Sequence, residues 1–65
     1  MSIVNVGDVL NIYGKEYKVL AMKGSWIRFG YKVNGHWQPR GRTEVRSKVE
    51  NDILNGNYKV LRHEK

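Results

Sequence analysis

Apolar and polar positions alternate along most of the chain, and the period changes once. The sharpest alternation runs through residues 26–33, WIRFGYKV. Ile27, Phe29, Tyr31 and Val33 fall on one face, and Trp26, Arg28, Gly30 and Lys32 on the other. A period of two in β-branched and aromatic residues predicts a half-buried strand with the first set facing a core. Asn34-Gly35 follows, a dipeptide that accepts the positive backbone dihedrals of a type I′ hairpin turn. His36-Trp37-Gln38 then returns as the partner strand. Pro39 lacks an amide proton, so it should end the central pairing or sit at an edge or bulge.

Upstream, residues 9–22 read as a second antiparallel hairpin with a tight connection at Gly14-Lys15. Leu10 and Ile12 share a face. Tyr17, Val19 and Ala21 share another, opposite Glu16 and Lys18. Leu20 and Met22 interrupt that polar side, which should therefore be partly covered. Ile3, Val4 and Val6 form an apolar lead, Gly7-Asp8 turns into the first strand, and Lys23-Gly24-Ser25 turns the chain again.

After Gly41 the spacing changes from two to four. Val45, Val49 and Ile53 would share one face of a helix, with Leu54 beside them. Thr43 is one candidate N-cap, and Ser47 with Glu50 is its capping-box rival. Residues 43–46 also fit a strand. Arg46–Glu50 and Lys48–Asp52 are opposite charges four apart, and Gly56 suits the C-terminal end. Asn57 to Arg62 is a last strand with Tyr58 and Val60 on one face, and His63-Glu64-Lys65 should fray.

These elements predict a mainly β domain spanning residues 1–65. It would be a small antiparallel curled sheet or SH3-like barrel of four to five strands, with one short helix before the last strand. The opening Gly7-Asp8-Val9 and the hairpin after it resemble the start of small SH3-like barrels such as the KOW and Tudor domains. The resemblance extends over the order of elements from Gly7 to Leu61, and implies a fold but no binding residues.

Composition narrows the function classes. The chain has no cysteine, so neither a disulfide nor a cysteine zinc site can staple it. His36 and His63 are half of an ordinary four-ligand set, and no metal or other cofactor is expected. No apolar run approaches a membrane span, and MSIVNV lacks the pattern of a secretory signal. A cytoplasmic location with no membrane partner is the expectation. Catalysis is not expected: Ser25, Ser47 and the six acidic residues form no nucleophile–base set, and no glycine loop is built to cradle phosphate.

Charge changes the picture more. The formal net charge is +6. Residues 23–46 carry six basic groups and one acidic group, whereas residues 1–22 are balanced and residues 47–65 carry a net +1. Four of the six are arginines, whose planar fork suits phosphates and base edges. The strand pattern puts Trp26 out with Arg28 and Lys32. A ring can stack on a base while cations meet phosphates. Nucleic-acid binding, to DNA or RNA, is the leading expectation, with Lys23, Trp26, Arg28, Lys32, Trp37, Arg40, Arg42 and Arg46 as candidate contacts. The alternative is a protein-interaction or regulatory module for an acidic partner, in homodimeric form if a second copy covers Leu20, Met22 or Trp26. The register across Asn34-Gly35 decides whether Trp37 and the Arg40–Arg42 pair extend the Trp26 face.

Overall fold

Five antiparallel strands and one helix form in the order the spacing predicts. A computed structural model describes residues 3–64, with every side chain except that of Arg40. The elements are β1 (Asp8–Ile12), β2 (Lys15–Lys23), β3 (Trp26–Val33), β4 (His36–Val45), α1 (Arg46–Leu54) and β5 (Tyr58–His63). Three successive hairpins and the return of β5 alongside β1 give the sheet order β4-β3-β2-β1-β5. Among the described residues no ladder joins β4 to β5, so these two strands are the sheet's edges.

Two of the hairpins turn through paired left-handed residues. Asn34 and Gly35 have φ of 50° and 83°, the type I′ geometry that the dipeptide predicts. The β1–β2 connection is Tyr13-Gly14, with φ of 52° and 86°, rather than Gly14-Lys15. Asn11 Oδ1 accepts the Gly14 amide at 2.9 Å and stabilises it. Lys15 already belongs to β2.

One face of the sheet carries the core. Val4, Leu10, Ile12, Val19, Ile27, Phe29, Val49 and Tyr58 are buried together, with Tyr17, Met22 and Ile53 packed against them. The strict alternation expected in β2 breaks between Val19 and Ala21, where Leu20 makes a bulge. The extra residue turns Ala21 outward opposite Arg28 and brings Met22 opposite the core residue Ile27. The bulge explains why Met22 spoils a polar face in the sequence pattern.

A larger irregularity shapes β4. Phe29 pairs with Arg42 but Tyr31 pairs with Gln38, so residues 39–41 all face Gly30. Pro39 therefore sits at a bulge in an edge strand, as its missing amide predicts. The two strands approach closely there. A Cβ on Gly41 would lie 2.2 Å from Phe29 O, and one on Gly30 would lie 2.5 Å from Gln38 O. The two extra residues preserve the parity of the strand. Facing partners share a side, so Trp37 opposite Lys32 joins the outer face, whereas Arg42 opposite Phe29 turns to the core side.

α1 begins at Arg46, and neither Thr43 nor Ser47 caps it. Thr43 still lies in β4, Val45 is the N-cap, and no side chain supplies a cap bond. The amide of Arg46 donates instead to Ser25 O at 2.6 Å, so the β2–β3 turn satisfies it from across the fold. Val49 is buried and Ile53 packs on the core, but Val45 belongs to the strand and Leu54 is 74% exposed. Leu54 lies about 140° round the helix from Val49 at ~100° per residue, off the buried stripe. Arg46–Glu50 and Lys48–Asp52 form the expected pairs at 3.2 and 3.0 Å. Gly56 follows the Asn55 C-cap with φ of 83°, and its amide reaches Ile53 O.

Buried polar groups tie β4 to β5. The hydroxyl of Tyr58 donates to Glu44 Oε1 at 3.0 Å and accepts from Lys48 Nζ at 3.3 Å. Glu44 also meets Arg42 Nε at 2.7 Å and Lys48 Nζ at 3.2 Å. Burial pushes the Tyr58 hydroxyl above its ordinary pKa. The bonds to Asp52, Tyr58 and Glu44 push the Lys48 ammonium up as well. At the other end, His63 and Glu64 do not fray as the sequence suggests. His63 Nδ1 lies 2.8 Å from Asp8 Oδ1, and the Glu64 amide donates to Gly7 O at 2.7 Å. Lys65 lies outside the described residues.

Candidate functional site

The outer face of the sheet is built by β3 and the strands on either side of it. Lys23 pairs with Trp26 next to the β2–β3 turn, and Ala21 and Thr43 flank Arg28. A small residue on each side leaves the guanidinium uncovered. Ala21, Lys23, Trp26, Arg28 and Thr43 line a shallow groove of about 220 Å³. Trp26 is 52% exposed, a large apolar surface left in water beside two cations. Arg46 is brought to this end by its amide bond to Ser25, while its Nε meets Glu50 at 3.2 Å.

A second groove of about 220 Å³ adjoins the first at the bulge and is lined by Arg28, Phe29, Pro39, Gly41, Arg42 and Thr43. Arg42 reaches it from the core side of β4. Its guanidinium lies 5.6 Å from the Tyr17 ring centre and its Nε is paired to Glu44 at 2.7 Å, so its charge is already engaged within the fold. Arg40 sits within the bulge, and its side chain is outside the described set.

Lys32 and Trp37 mark the other end of the same face, six residues along β3 from Trp26, or roughly 20 Å at ~3.3 Å per residue. Lys32 Nζ lies 5.3 Å and Lys18 Nζ 6.0 Å from the Trp37 ring centre. The Trp37 indole N–H donates to Glu64 Oε1 at 3.2 Å, and Arg62 Nε donates to Glu64 Oε2 at 2.6 Å. Arg62 also reaches Glu16 at 3.1 Å. Arg62 and then Trp37 hold the Glu64 carboxyl below the usual carboxylate range. The two tryptophans thus share a face but differ in role: Trp26 stands in water, whereas Trp37 is half-buried and hydrogen-bonded.

The fold therefore brings together Lys23, Trp26, Arg28 and the start of α1 at one end, and Lys32 with Trp37 at the other. It leaves Arg42 on the opposite side of β4. Sequence reasoning missed Lys18. Its alternation with Tyr17 and Val19 already put it on the outer side, but only the register with Gly30 carries it toward Trp37.

Every acidic side chain is engaged by a group other than Lys23, Arg28 and Lys32. Asp8 meets His63, Glu16 and Glu64 meet Arg62, Glu44 meets Arg42 and Lys48, Glu50 meets Arg46, and Asp52 meets Lys48. Lys23, Arg28 and Lys32 have no ion-pair partner among the described residues. The excess charge of residues 23–46 is thus displayed most openly on β3 and the turn before it. Among the described residues, no group of three His, Asp or Glu side chains is arranged to hold a metal ion, and no helix is long and apolar enough to cross a membrane. In comparisons with protein-family models, with curated proteins and with solved structures, nothing matches this chain.

Proposed function

We propose that the protein is a non-enzymatic nucleic-acid binder of the cytoplasm that engages its ligand with the outer face of β2, β3 and β4. One observation carries the reading: Trp26 is exposed between Lys23 and Arg28 on one face, and both cations are without a carboxylate partner among the described residues. In this arrangement the indole stacks on a base while Lys23 and Arg28 meet neighbouring phosphates, and Lys32 continues the track. Arg46 adds charge at the Trp26 end, and Arg42 approaches from the bulge. Trp37 supports the far end of the surface. In the same reading the sheet curls into a half-open, SH3-like barrel whose edges are held by the Tyr58–Glu44 bond, and the ligand lies on its outer wall.

Titration of labelled single-stranded and duplex oligonucleotides tests this. Three phosphate contacts, by Lys23, Arg28 and Lys32, should weaken binding about 20- to 40-fold between ~50 and ~200 mM salt, since each contact adds ~0.7–0.9 to the log–log slope. Absence of binding at the lower salt contradicts the reading and favours burial of Trp26 against an acidic protein or a second copy.

A further inference from the structure

At the far end of the outer face the chain's own carboxylate, Glu64, is held against the Trp37 indole. Glu64 accepts one bond from the Trp37 indole N–H at 3.2 Å and one from Arg62 Nε at 2.6 Å. Lys18 and Lys32 stand on the same indole, with Nζ 6.0 and 5.3 Å from the ring centre. Glu64 comes just after β5, joined to the sheet through its amide on Gly7. Its side chain therefore hangs from the end of an edge strand, bonded to Arg62 of β5 and to the indole that Lys18 of β2 and Lys32 of β3 flank. A neutral N–H and a guanidinium on the two carboxylate oxygens, with two ammonium groups close by on the same indole, is also how a phosphate is held.

We infer that this position is a second phosphate subsite, and that Glu64 occupies it in the free protein and is displaced by a phosphodiester of a bound strand. The inference rests on the proposed nucleic-acid function and adds a built-in competitor to it. A strand engaging Trp26 and Arg28 extends along β3 toward Lys32, where Arg62, Lys18 and the Trp37 N–H become its partners. Glu64 is then released, and Arg62 keeps its second carboxylate, Glu16. The masking lowers affinity for short or sparsely charged anions, which gain too little at the Trp26 end to drive Glu64 out.

The test uses the full chain and a fluorescently labelled oligo(dT) of roughly 15 nucleotides, near the upper end of the ~4–16 that a small β-barrel module tracks. Glu64→Gln keeps an acceptor for Trp37 and removes the competing charge. It should tighten binding roughly three- to five-fold, the scale of one exposed ion pair. Asp52→Asn makes the same change in net charge on α1, away from Trp37, and should change affinity by less than about 1.5-fold. Adding Lys18→Ala to Glu64→Gln should remove most of the gain. Equal tightening by Glu64→Gln and Asp52→Asn overturns the masking role, because net charge then accounts for both, while wild-type binding leaves the broader function standing. If neither wild type nor Glu64→Gln binds at low salt, the subsite and the nucleic-acid reading fall together. Binding by Glu64→Gln alone contradicts the proposed function of the wild-type chain, because a mask worth roughly three- to five-fold cannot hide binding at low salt.

Discussion

Gly41→Ala is expected to lower the melting temperature by roughly 10–25 °C. The added methyl would lie 2.2 Å from Phe29 O and 2.8 Å from Phe29 C, both backbone atoms of β3. A flexible side chain could move aside, but these atoms belong to the β3–β4 ladder and to the residue that anchors the core. Overpacking costs ~1–3 kcal/mol in ordinary cores, and the upper end applies where no side chain can yield. Each kcal/mol is worth ~4–8 °C in a domain of this size. Gly30→Ala should act similarly, since its methyl would meet Gln38 O at 2.5 Å and Leu20 Cδ1 at 2.6 Å. Gly14→Ala is the comparison: nothing lies within 4 Å of its Cβ, and its φ of 86° imposes only a conformational cost, about 1 kcal/mol. Thermal melts by circular dichroism decide between them. A Gly41→Ala loss no larger than that of Gly14→Ala would mean the bulge relaxes freely and does not fix the register.

The second large effect is on binding. The double variant Trp26→Ala/Arg28→Ala should lose about 100-fold in affinity for a single-stranded oligonucleotide at low salt. Stacking on an aromatic side chain contributes ~1–3 kcal/mol per base, and the guanidinium adds a phosphate contact whose loss reduces the salt slope by about one. Neither side chain belongs to the buried cluster, so the melting temperature should change little. Lys59→Ala removes an equal charge on β5, where Lys59 faces Asn11, and should cost about two-fold or less. Fluorescence anisotropy at matched salt measures all three proteins. A similar loss from Lys59→Ala would assign the attraction to overall charge instead of to the Trp26 groove.

Much of the fold is legible in the sequence because its signals are local. The alternation from Trp26 to Val33 identifies β3 and the burial of Ile27 and Phe29, whereas Tyr31 and Val33, which the same alternation puts on the core face, are each 39% exposed because the core does not extend to that end of the strand. Asn34-Gly35 identifies the hairpin, and the four-residue spacing of Val49 and Ile53 identifies the packed side of the helix. The departures arise where a distant contact overrides a local preference. Ser47-x-x-Glu50 has the form of a capping box, yet the first helix amide is satisfied by Ser25, which is far away in sequence. Leu20 gives no sign that it forms a bulge, because that depends on how β2 must bend to keep Met22 on the core. Only Pro39 hints at the irregularity in β4.

The candidate site divides in the same way. That Trp26, Arg28 and Lys32 share a face follows from periodicity alone. That Trp37 joins them, and that Arg42 turns away, depends on the register of the bulged hairpin. The Glu64–Trp37 bond and the approach of Lys18 connect segments far apart in the chain, so no local pattern announces them. The charge count also says nothing of which cations are already neutralised. Among the described residues, the acidic groups pair with Arg42, Arg46, Lys48, Arg62 and His63, and Lys23, Arg28 and Lys32 are left without an ion pair, as are Lys15, Lys18 and Lys59.

Chemical-shift mapping tests the central claim most directly. The ¹⁵N-labelled protein is titrated with a short single-stranded oligonucleotide at low salt while backbone amides and both indole N–H signals are followed. The largest shifts are expected for Lys23, Trp26, Arg28 and Thr43, with smaller ones at Lys32 and at the Trp37 indole, and little change at Val49, Asp52 or Ile53 on α1. Shifts concentrated on α1, or none anywhere on the outer face of β3, would contradict the account.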